Sequence, residues 1–588
     1  MNTSEKSGYN QFWADLIIEE FVRQGVKLFC VAPGARSAPL VLAAARNPRA
    51  ETRVHFDERG IGFFALGYMA GARKPAAVIT TSGTAIGNLF PAVIEASKKK
   101  LPLIVLTADR PAELQMTGAH QTIQQSRIFG DYCRYTFDFP CPSLDIKQEF
   151  VLTTVDHAVY RSRHGYPGPV HLNCPFREPL TSGNSRKRPG ACAPGLKNWR
   201  LSEHPYTIYG DYHKEVAAAV LDETAGILNQ TERGIILLGN SSSGEEQAVV
   251  LDLARRLQWP IFPDITSGLR TGCADPRVIS YFDLLLLKGN KTPVKAWLQR
   301  CDGVLHLGGR LTSKRCLDWL AQQTPKHYFM VLNHPLRHDP LHNVSRRLEM
   351  PVQDFCLKMR SRLKSRRSLA WPGPAIQWNA SIHAQLDRHL EKRPAISEPG
   401  VARTISRMIP PGHGLFLANS MPLRIMDMFA DRCGAKFPVA ANRGASGIDG
   451  TIASAAGFTA GIDQPVTLLI GDQAFLHDLN SLSLIARSTR PLICVILNNF
   501  GGGIFSFVPF QGTEQERETY FAANHAYSFQ PAAELFGLYY RRPCSIEEFK
   551  TDYQWALSQK QSTCLELQYD RSLNVAEHRA CQKGLLKD

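Results

Sequence analysis

Short apolar runs alternate with longer stretches of helical periodicity along the chain. In the first part, the pattern predicts strands at 27–32, 53–57, 76–80 and 103–108. It predicts helices at 11–24, from a Pro33-Gly34 break to Arg46, at 59–72 and at 85–98. Short β-rich runs between longer helices favour a parallel sheet that is covered by helices on both faces.

The same alternation returns twice further along the chain. The middle part predicts strands at 234–239, 260–264, 303–309 and 328–332, with a helix at 245–258. The last part predicts strands at 414–418, 466–472 and 492–499, with one amphipathic helix at 476–487. Two stretches rich in Pro, Gly and Ser, 182–194 and 365–375, are predicted linkers. We therefore expect an α/β fold of three doubly wound domains with mostly parallel sheets, at residues 1–185, 195–365 and 375–588.

Charge and composition narrow the possible classes of protein. The formal net charge of +15 is spread along the chain, and its two local concentrations, 186–188 and 362–367, fall in predicted linkers, so we interpret them as solvated surface. A nucleic-acid-binding protein would need a clustered basic stripe with interleaved aromatic residues, which is absent. No apolar run is long enough to cross a bilayer, and the N-terminus has no signal-peptide pattern. We therefore expect no membrane partner. The cysteines lack paired CxxC spacing, so we expect a cytoplasmic protein with reduced thiols.

The clearest chemical signal is a pair of strand ends in the last part. The strand 466–472 ends in Gly-Asp, and a second strand ends 27 residues further on in Asn498-Asn499, before the glycines 501–503. Carboxylate and amide oxygens suit a hard divalent cation, and glycines let the backbone approach a diphosphate. Either half alone fits a helix cap or a turn equally well. Together, at this spacing, they resemble the diphosphate and magnesium motif of thiamine-diphosphate enzymes.

Glu58 is the second signal. It follows the predicted strand 53–57 and precedes a helix, so on its own it fits a carboxylate that interacts with a helix dipole. A carboxyl group among apolar neighbours there should be poorly solvated, which favours its protonated form. In thiamine-diphosphate enzymes such a group hydrogen-bonds the aminopyrimidine ring and favours the imino tautomer, whose nitrogen takes the thiazolium C2 proton.

A more specific resemblance extends over nearly the whole chain. The motifs that carry it are 33–37, 55–60, 81–84, 106–111, 118–121, 173–176, 312–315, Asn419-Ser420 with Arg424, the run 442–450, 471–472 and 498–505. In these motifs the chain resembles the 2-succinyl-5-enolpyruvyl-6-hydroxy-3-cyclohexene-1-carboxylate (SEPHCHC) synthase family of menaquinone and phylloquinone biosynthesis. The run 442–450 is the most family-specific of them.

This resemblance implies a reaction and its cofactors. The family's enzymes are thiamine-diphosphate-dependent transferases that use Mg²⁺ or Mn²⁺. They decarboxylate 2-oxoglutarate and add the resulting succinyl-semialdehyde carbanion equivalent to isochorismate in 1,4 fashion. The resemblance also implies a homodimer or homotetramer with active sites at subunit interfaces, where the glutamate domain of one subunit faces the diphosphate domain of another.

The resemblance also assigns roles to residues. Guanidinium and ammonium groups suit two anionic substrates. Implied catalytic residues are Glu58, Gln121 and Arg36. Implied substrate-binding residues are Arg36, Arg110, His120, Gln121, Lys314, Arg315, Ser420 and Arg424. Implied cofactor-binding residues are Glu58, Arg443, Ile448, Asp472, Asn499, Ile504 and Phe505, with Asp472, Asn499 and Gly501 at the metal. Ile448 would hold the cofactor bent, and Ile504 with Phe505 would form an apolar wall that excludes water.

The chain departs from the family pattern at several positions. Ala35 stands where the family usually has Ser, and His120 where it has Asn. Phe500 and Gly503 replace more usual polar residues. None of these changes removes a group that the cofactor chemistry needs.

Two alternative functions remain open. The chain could be another 2-oxo-acid decarboxylase or carboligase, of the acetolactate synthase type, but the run 442–450 argues against this. It could also be a non-catalytic nucleotide-binding protein on the same scaffold, but the retained Glu58 argues against that.

Overall fold

Three parallel sheets make up the framework of the computed structural model, which describes residues 3–143, 145–181, 194–210, 215–240, 243–288 and 292–586. They confirm the predicted α/β class. Among the described residues, no helix combines the length and the apolar character needed to cross a bilayer.

The first sheet has the strand order β2-β1-β3-β4-β6-β5, with parallel pairings throughout. Its strands are β1 (Leu28–Val31), β2 (Glu51–Val54), β3 (Ala76–Thr80), β4 (Leu103–Asp109), β5 (Tyr135–Asp138) and β6 (Val170–Pro175). The helices of this part are α1 (Thr3–Arg23), α2 (Ala38–Arg46), α3 (Glu58–Ala72), α4 (Thr84–Asn88), α5 (Phe90–Lys99), α6 (Gln148–Arg163) and α7 (Pro194–Leu201).

The second sheet is parallel as well, in the order β11-β10-β9-β7-β8. Its strands are β7 (Gly234–Leu238), β8 (Ile261–Pro263), β9 (Gly303–Leu307), β10 (His327–Leu332) and β11 (Arg346–Glu349). The helices here are α8 (Ala218–Gln230), α9 (Gly244–Leu257), α10 (Phe282–Leu287), α11 (Thr292–Gln299), α12 (Lys314–Gln322), α13 (Val352–Arg360) and α14 (Gly373–Leu390).

The third sheet repeats the strand order of the first, as β13-β12-β14-β15-β17-β16. Its strands are β12 (Gly414–Leu417), β13 (Val439–Ala441), β14 (Val466–Gly471), β15 (Leu492–Asn498), β16 (Tyr539–Arg541) and β17 (Thr563–Gln568). The helices are α15 (Glu398–Met408), α16 (Met421–Phe429), α17 (Thr451–Ile462), α18 (Asp472–His477), α19 (Leu482–Ala486), α20 (Glu514–Glu516), α21 (Gln530–Leu535), α22 (Ile546–Ser558) and α23 (Arg571–Leu586). The order in which the chain adds strands to this sheet reverses between β12 and β14, which are themselves parallel. Ligands of open parallel sheets bind outside the strand ends at such a point.

The chain forms two compact units. Unit 1 comprises Met1–Tyr212, Asn442–Gln464 and Ala474–Leu492, and unit 2 comprises the rest of the chain with the second and third sheets. A continuous apolar core lies in each unit. The predicted domain limits 1–185, 195–365 and 375–588 follow the three sheets and stay a prediction.

Two predicted helices are each divided in the structure. The helix expected at 85–98 consists of α4 and α5, and Pro91 lies in the first turn of α5, where proline is tolerated because that turn needs no amide donor. The helix expected at 476–487 consists of α18, a short 3₁₀ turn and α19. Helical periodicity survives such breaks, so the sequence pattern did not show them.

The basic run 362–367 is not wholly solvated, contrary to expectation. The guanidinium of Arg366 donates to Leu228 O and Asn229 O at the end of α8, and to Leu257 O at the end of α9. A cation there satisfies the last carbonyls of two helices and interacts favourably with the negative ends of their dipoles. Burial lowers the pKa of Arg366. The other basic run, 186–188, and the predicted linker up to residue 193 lie outside the described residues.

Helices α3 and α17 cross closely within unit 1 because glycines line their contact. A Cβ on Gly67 would overlap Ser454 O, and one on Gly457 would overlap Phe64 O. Both partners are helix backbone, which cannot move aside as a side chain can. The two glycines therefore set the distance between the helix that begins at Glu58 and the helix that follows the family motif 442–450.

Gly67→Ala is expected to destabilise the protein by about 3 kcal/mol, because overpacking of a rigid contact forces the backbone to shift. Gly87→Ala is the matched control, since Gly87 is also helical and an added Cβ there meets nothing within 4 Å. Urea denaturation of both variants measures the difference. Equal stability of the two variants would contradict this account of the helix crossing.

Candidate active site

Asp472 and Asn499 lie at the carboxyl ends of neighbouring strands in unit 2. Asp472 follows β14 directly, and Asn499 follows β15. Both side chains are buried, at 2% and 8% exposure. The arrangement predicted from the two strand ends is therefore present in the fold.

Backbone amides hold the Asp472 carboxylate in place. Its Oδ1 accepts from Gln473 N at 2.6 Å and its Oδ2 from Gly501 N at 2.9 Å. His525 Nε2 lies 3.4 Å from the same Oδ2. Burial raises the pKa of Asp472, while these amide hydrogen bonds and His525 act in the opposite direction. A carboxylate fixed by amides on one side keeps lone pairs for a cation on the other.

The two polar atoms of the Asn499 amide differ in their hydrogen bonding. Its Nδ2 donates to Tyr569 Oη at 3.3 Å, whereas its buried Oδ1 has no hydrogen-bond partner among the described residues. A buried amide oxygen without a partner is costly unless a ligand satisfies it. The Asp472 carboxylate, the Asn499 oxygen and the nearby Gly501 backbone form an oxygen donor set that suits Mg²⁺ or Mn²⁺.

The glycines after Asn499 are required by close neighbours. Gly501 has φ 154°, and an added Cβ would lie 2.7 Å from Ala522 O. A Cβ on Gly503 would lie 2.5 Å from Asn499 Nδ2. The departure at Gly503 from the family's polar residue therefore leaves room for the Asn499 amide, and Phe500, the other departure, adopts φ 62° in this turn.

The two residues predicted as an apolar wall follow this loop. Ile504 is half-buried and packs against the apolar core of unit 2. The Phe505 ring meets the Phe521 ring edge-on, with centroids 5.9 Å apart. Phe521 and its neighbour Tyr520 remain exposed.

The remaining predicted groups of unit 2 differ in their surroundings. Ser420 is the N-cap residue of α16 and has φ 71°, and its carbonyl accepts from Arg424 Nη1 at 2.8 Å. Lys314 is exposed at the start of α12. Arg315 forms an ion pair with the buried Asp283, so its guanidinium is partly committed within the protein. Of the predicted substrate-binding cations in this unit, Lys314 is the one most accessible to solvent.

Glu58 begins α3 in unit 1, and Asp57 is the residue that caps this helix. The Asp57 side chain accepts from Arg59 N and Gly60 N. Glu58 is half-buried, and its Oε2 accepts from Asn88 Nδ2 at 3.3 Å. The apolar neighbours Val54 and Phe56 are 48% and 59% exposed in unit 1, so they do not enclose this carboxyl group there, and its poor solvation stays a prediction.

The predicted residues Arg36, Arg110 and Gln121 lie together in unit 1. Arg36 is buried and donates to Phe176 O at 3.0 Å and to Glu178 Oε1 at 2.8 Å. Arg110 contacts Ser82 Oγ and donates to Gln121 Oε1 at 3.3 Å. Burial first, and then the charge of Arg36, lowers the pKa of Arg110. Two neighbouring guanidinium groups favour an anionic ligand.

The loop around Gln121 is open to solvent. His120 and Gln121 are both exposed, and Gln121 adopts the left-handed φ of 53°. Ala35, the other departure from the family pattern, is also exposed. These side chains are therefore accessible from solvent in unit 1.

The family-specific run 442–450 is anchored by Glu95, a residue that the sequence did not single out. The buried Glu95 carboxylate on α5 accepts from Gly444 N at 2.7 Å and Ala445 N at 2.6 Å. Arg443 and Ile448, both predicted cofactor-binding residues, are half-buried on this run. Glu95 looks like an ordinary helix-surface glutamate in the sequence, so no pattern pointed to it.

Sequence reasoning also missed the buried groups behind Asn499. Tyr569 donates from its hydroxyl to Glu398 Oε1 at 2.9 Å, and Glu398 Oε2 lies 2.8 Å from His578 Nε2. Burial, followed by the charge of Glu398, raises the pKa of Tyr569 well above its usual value, so its hydroxyl remains a donor. These residues are far from Asn499 in sequence and belong to no motif.

Comparisons with known proteins show the family to which the chain belongs. Three family models match the chain: "Thiamine pyrophosphate enzyme, N-terminal TPP binding domain" at 13–128, "Middle domain of thiamine pyrophosphate" at 192–417, and "Thiamine pyrophosphate enzyme, C-terminal TPP binding domain" at 432–567. The SEPHCHC synthase of Rubrobacter xylanophilus is 44% identical over 98% of both chains. Those of Chlorobium phaeobacteroides and Salinibacter ruber are 41% and 40% identical, over 97% of both chains and over 96% of this chain and 95% of the other, respectively. The chain belongs to the SEPHCHC synthase family of thiamine-diphosphate enzymes.

Proposed function

We propose that this protein is a SEPHCHC synthase, which decarboxylates 2-oxoglutarate and adds the succinyl-semialdehyde unit to isochorismate with release of CO₂. The observation that carries the proposal is the full-length similarity to synthases of this name, at 44% identity over 98% of the chain. The donor set at Asp472 and Asn499 and the paired guanidinium groups in unit 1 support it chemically. We assign the protein to menaquinone biosynthesis in the cytoplasm.

The cofactor and its cation are proposed to bind at the strand ends of the third sheet. Asp472, Asn499 and the Gly501 backbone would hold Mg²⁺ or Mn²⁺, and the cation would bind the diphosphate. The orphaned Asn499 Oδ1 supports this assignment, because an oxygen ligand to a hard cation needs no other partner. When bound, thiamine diphosphate supplies the electron sink for decarboxylation.

Glu58 is proposed to act on the aminopyrimidine ring, by a hydrogen bond from its carboxyl group to a ring nitrogen. Arg443 and Ile448 would contact the cofactor from the run that Glu95 anchors. Ile504 and Phe505 would exclude water. Because α3 and the run 442–450 are joined by the glycine contact of α3 with α17, Glu58 and Ile448 have a common support within unit 1.

The substrates' carboxylates are proposed to bind the cationic groups. Arg36, Arg110 and Gln121, with His120 beside them, would bind from unit 1, and Lys314, Arg315, Ser420 and Arg424 from unit 2. Each charge-assisted hydrogen bond contributes roughly 1.5–3 kcal/mol. We propose a homodimer or homotetramer in which each active site combines domains of two subunits.

Incubation with thiamine diphosphate, Mg²⁺, 2-oxoglutarate and isochorismate tests the proposed reaction. The expected result is the SEPHCHC mass together with CO₂, dependent on all four additions. Pyruvate in place of 2-oxoglutarate is the control for an activity of the acetolactate synthase type. Release of CO₂ from pyruvate without SEPHCHC formation from 2-oxoglutarate would refute the proposal.

A further inference from the structure

A buried chain of hydrogen bonds runs from Asn499 through the interior of unit 2. It passes from Asn499 Nδ2 to the Tyr569 hydroxyl, then to the Glu398 carboxylate and the His578 imidazole, at 3.3, 2.9 and 2.8 Å. Glu398 and His578 are each 1% exposed. The proposed function uses only the first residue of this chain.

The directions of these hydrogen bonds fix the orientation of the Asn499 amide. A carboxylate only accepts hydrogen bonds, so the Tyr569 hydroxyl must donate its one hydrogen to Glu398. The tyrosine oxygen can then only accept from Asn499, and it faces the amide nitrogen rather than the amide oxygen. The amide oxygen consequently points away from Tyr569, and it is the buried oxygen without a partner.

Two helices hold Glu398 in place at this depth. Glu398 is the first residue of α15, whose cap is Ser397, and a helix N-terminus favours negative charge. Its backbone N donates to Asn574 Oδ1 at 3.0 Å, which ties α15 to α23. His578, also on α23, lies edge-on to Phe429 and Phe507. The Glu398 carboxylate, which sets the direction of the hydrogen bonds in this chain, is thus held in place by α15 and α23.

Gly503 restrains the same amide from another side. Its Cα lies so close that a Cβ would be 2.5 Å from Asn499 Nδ2. Tyr569 therefore determines the direction of the amide, and Gly503 determines the space that it occupies. Two independent contacts leave the oxygen in one orientation.

We propose that Tyr569, Glu398 and His578 are positioning residues that hold the Asn499 oxygen toward the cation. This inference rests on the proposed function, because it takes Asn499 as a metal ligand. Outer-shell partners of this kind fix ligand orientation, and their loss typically costs about 10–100-fold in metal affinity.

Tyr569→Phe tests the proposal, because it keeps the ring and removes the hydroxyl. The measurement is Mg²⁺ titration calorimetry on the full-length protein with saturating thiamine diphosphate, and we expect Mg²⁺ affinity about 10–100-fold weaker than in wild type. Tyr553→Phe is the matched control, since Tyr553 is buried in the same unit and its hydroxyl is hydrogen-bonded to Thr467 Oγ1 at 2.8 Å. Unchanged Mg²⁺ affinity in Tyr553→Phe supports a specific effect.

Thermal unfolding of the metal-free proteins separates positioning from a structural role. If both tyrosine variants lose stability equally and Mg²⁺ affinity stays at the wild-type value, the positioning role is refuted. Gly503→Ala reaches the amide without touching Tyr569 and is expected to weaken Mg²⁺ binding too, so it decides the matter if Tyr569→Phe does not fold. If wild-type protein binds thiamine diphosphate without any cation, the proposed metal site is refuted, and the positioning role with it. If wild-type binding depends on Mg²⁺ and the variants bind Mg²⁺ with wild-type affinity, only the positioning role is refuted.

Discussion

Glu58→Gln is expected to lower the rate of SEPHCHC formation by about 10²–10⁴-fold while the fold remains intact. The substitution keeps the size of the side chain and an oxygen that can accept from Asn88 Nδ2, as Glu58 Oε2 does at 3.3 Å. It removes the exchangeable carboxyl proton. If Glu58 holds a proton against the aminopyrimidine ring, the substitution removes that proton and the role is lost. If Glu58 only begins α3, the substitution leaves its role unchanged. Steady-state kinetics with 2-oxoglutarate and isochorismate measure the change.

The control for Glu58→Gln must remove a carboxyl group from the same unit. Glu51→Gln serves, because Glu51 lies on β2 and is exposed. Near-normal turnover in Glu58→Gln would reject the catalytic assignment. Thiamine-diphosphate affinity should change less than turnover, because the diphosphate is proposed to bind through Asp472 and Asn499, and a parallel loss of both would indicate a binding role instead.

The strand ends of the third sheet could be predicted from sequence because their signals are local. An apolar run that stops at Gly-Asp or Asn-Asn marks both the end of a buried strand and the chemistry at that end. Sheet order then brings β14 beside β15. The predicted bounds of β14 and β15 differ from those in the structure by one residue at the carboxyl end.

The supports of the site could not be predicted, because they depend on pairs that are distant in sequence. Glu95 holds a loop some 350 residues away, and Tyr569 meets Asn499 only after the chain has formed β16 and β17. Such residues have no periodicity or motif that distinguishes them from core or surface. The exposure of Val54 and Phe56 could not be predicted either, because it depends on the position of β2 at the edge of the first sheet, which the local apolar character of the segment does not show.

Asp472→Ala is expected to weaken Mg²⁺-dependent binding of thiamine diphosphate by at least about 100-fold, since loss of a ligand should exceed the effect of losing an outer-shell partner. The carboxylate is 2% exposed and supplies the only formal negative charge of the proposed donor set. Its removal also leaves Gly501 N and Gln473 N without their acceptor. Asp472→Asn loses the charge but keeps one acceptor oxygen, so a comparison of its Mg²⁺ affinity with that of Asp472→Ala shows what the remaining oxygen contributes. Calorimetry with and without Mg²⁺ measures both variants.

Asp478→Asn is the matched control for Asp472, because Asp478 is also buried and also accepts from a backbone amide, Ala453 N at 2.9 Å. Burial raises the pKa of Asp478 to about 7, so its carboxyl group is only partly ionised at neutral pH. The control should lower the unfolding temperature and leave Mg²⁺ affinity unchanged. Asp472→Asn should weaken Mg²⁺ affinity, because the cation loses its counter-charge, and should also lower the unfolding temperature, because one amide oxygen cannot accept from both Gln473 N and Gly501 N. Unaltered Mg²⁺ affinity in both Asp472 variants would remove this residue from the metal site and leave Asn499 without a charged partner there.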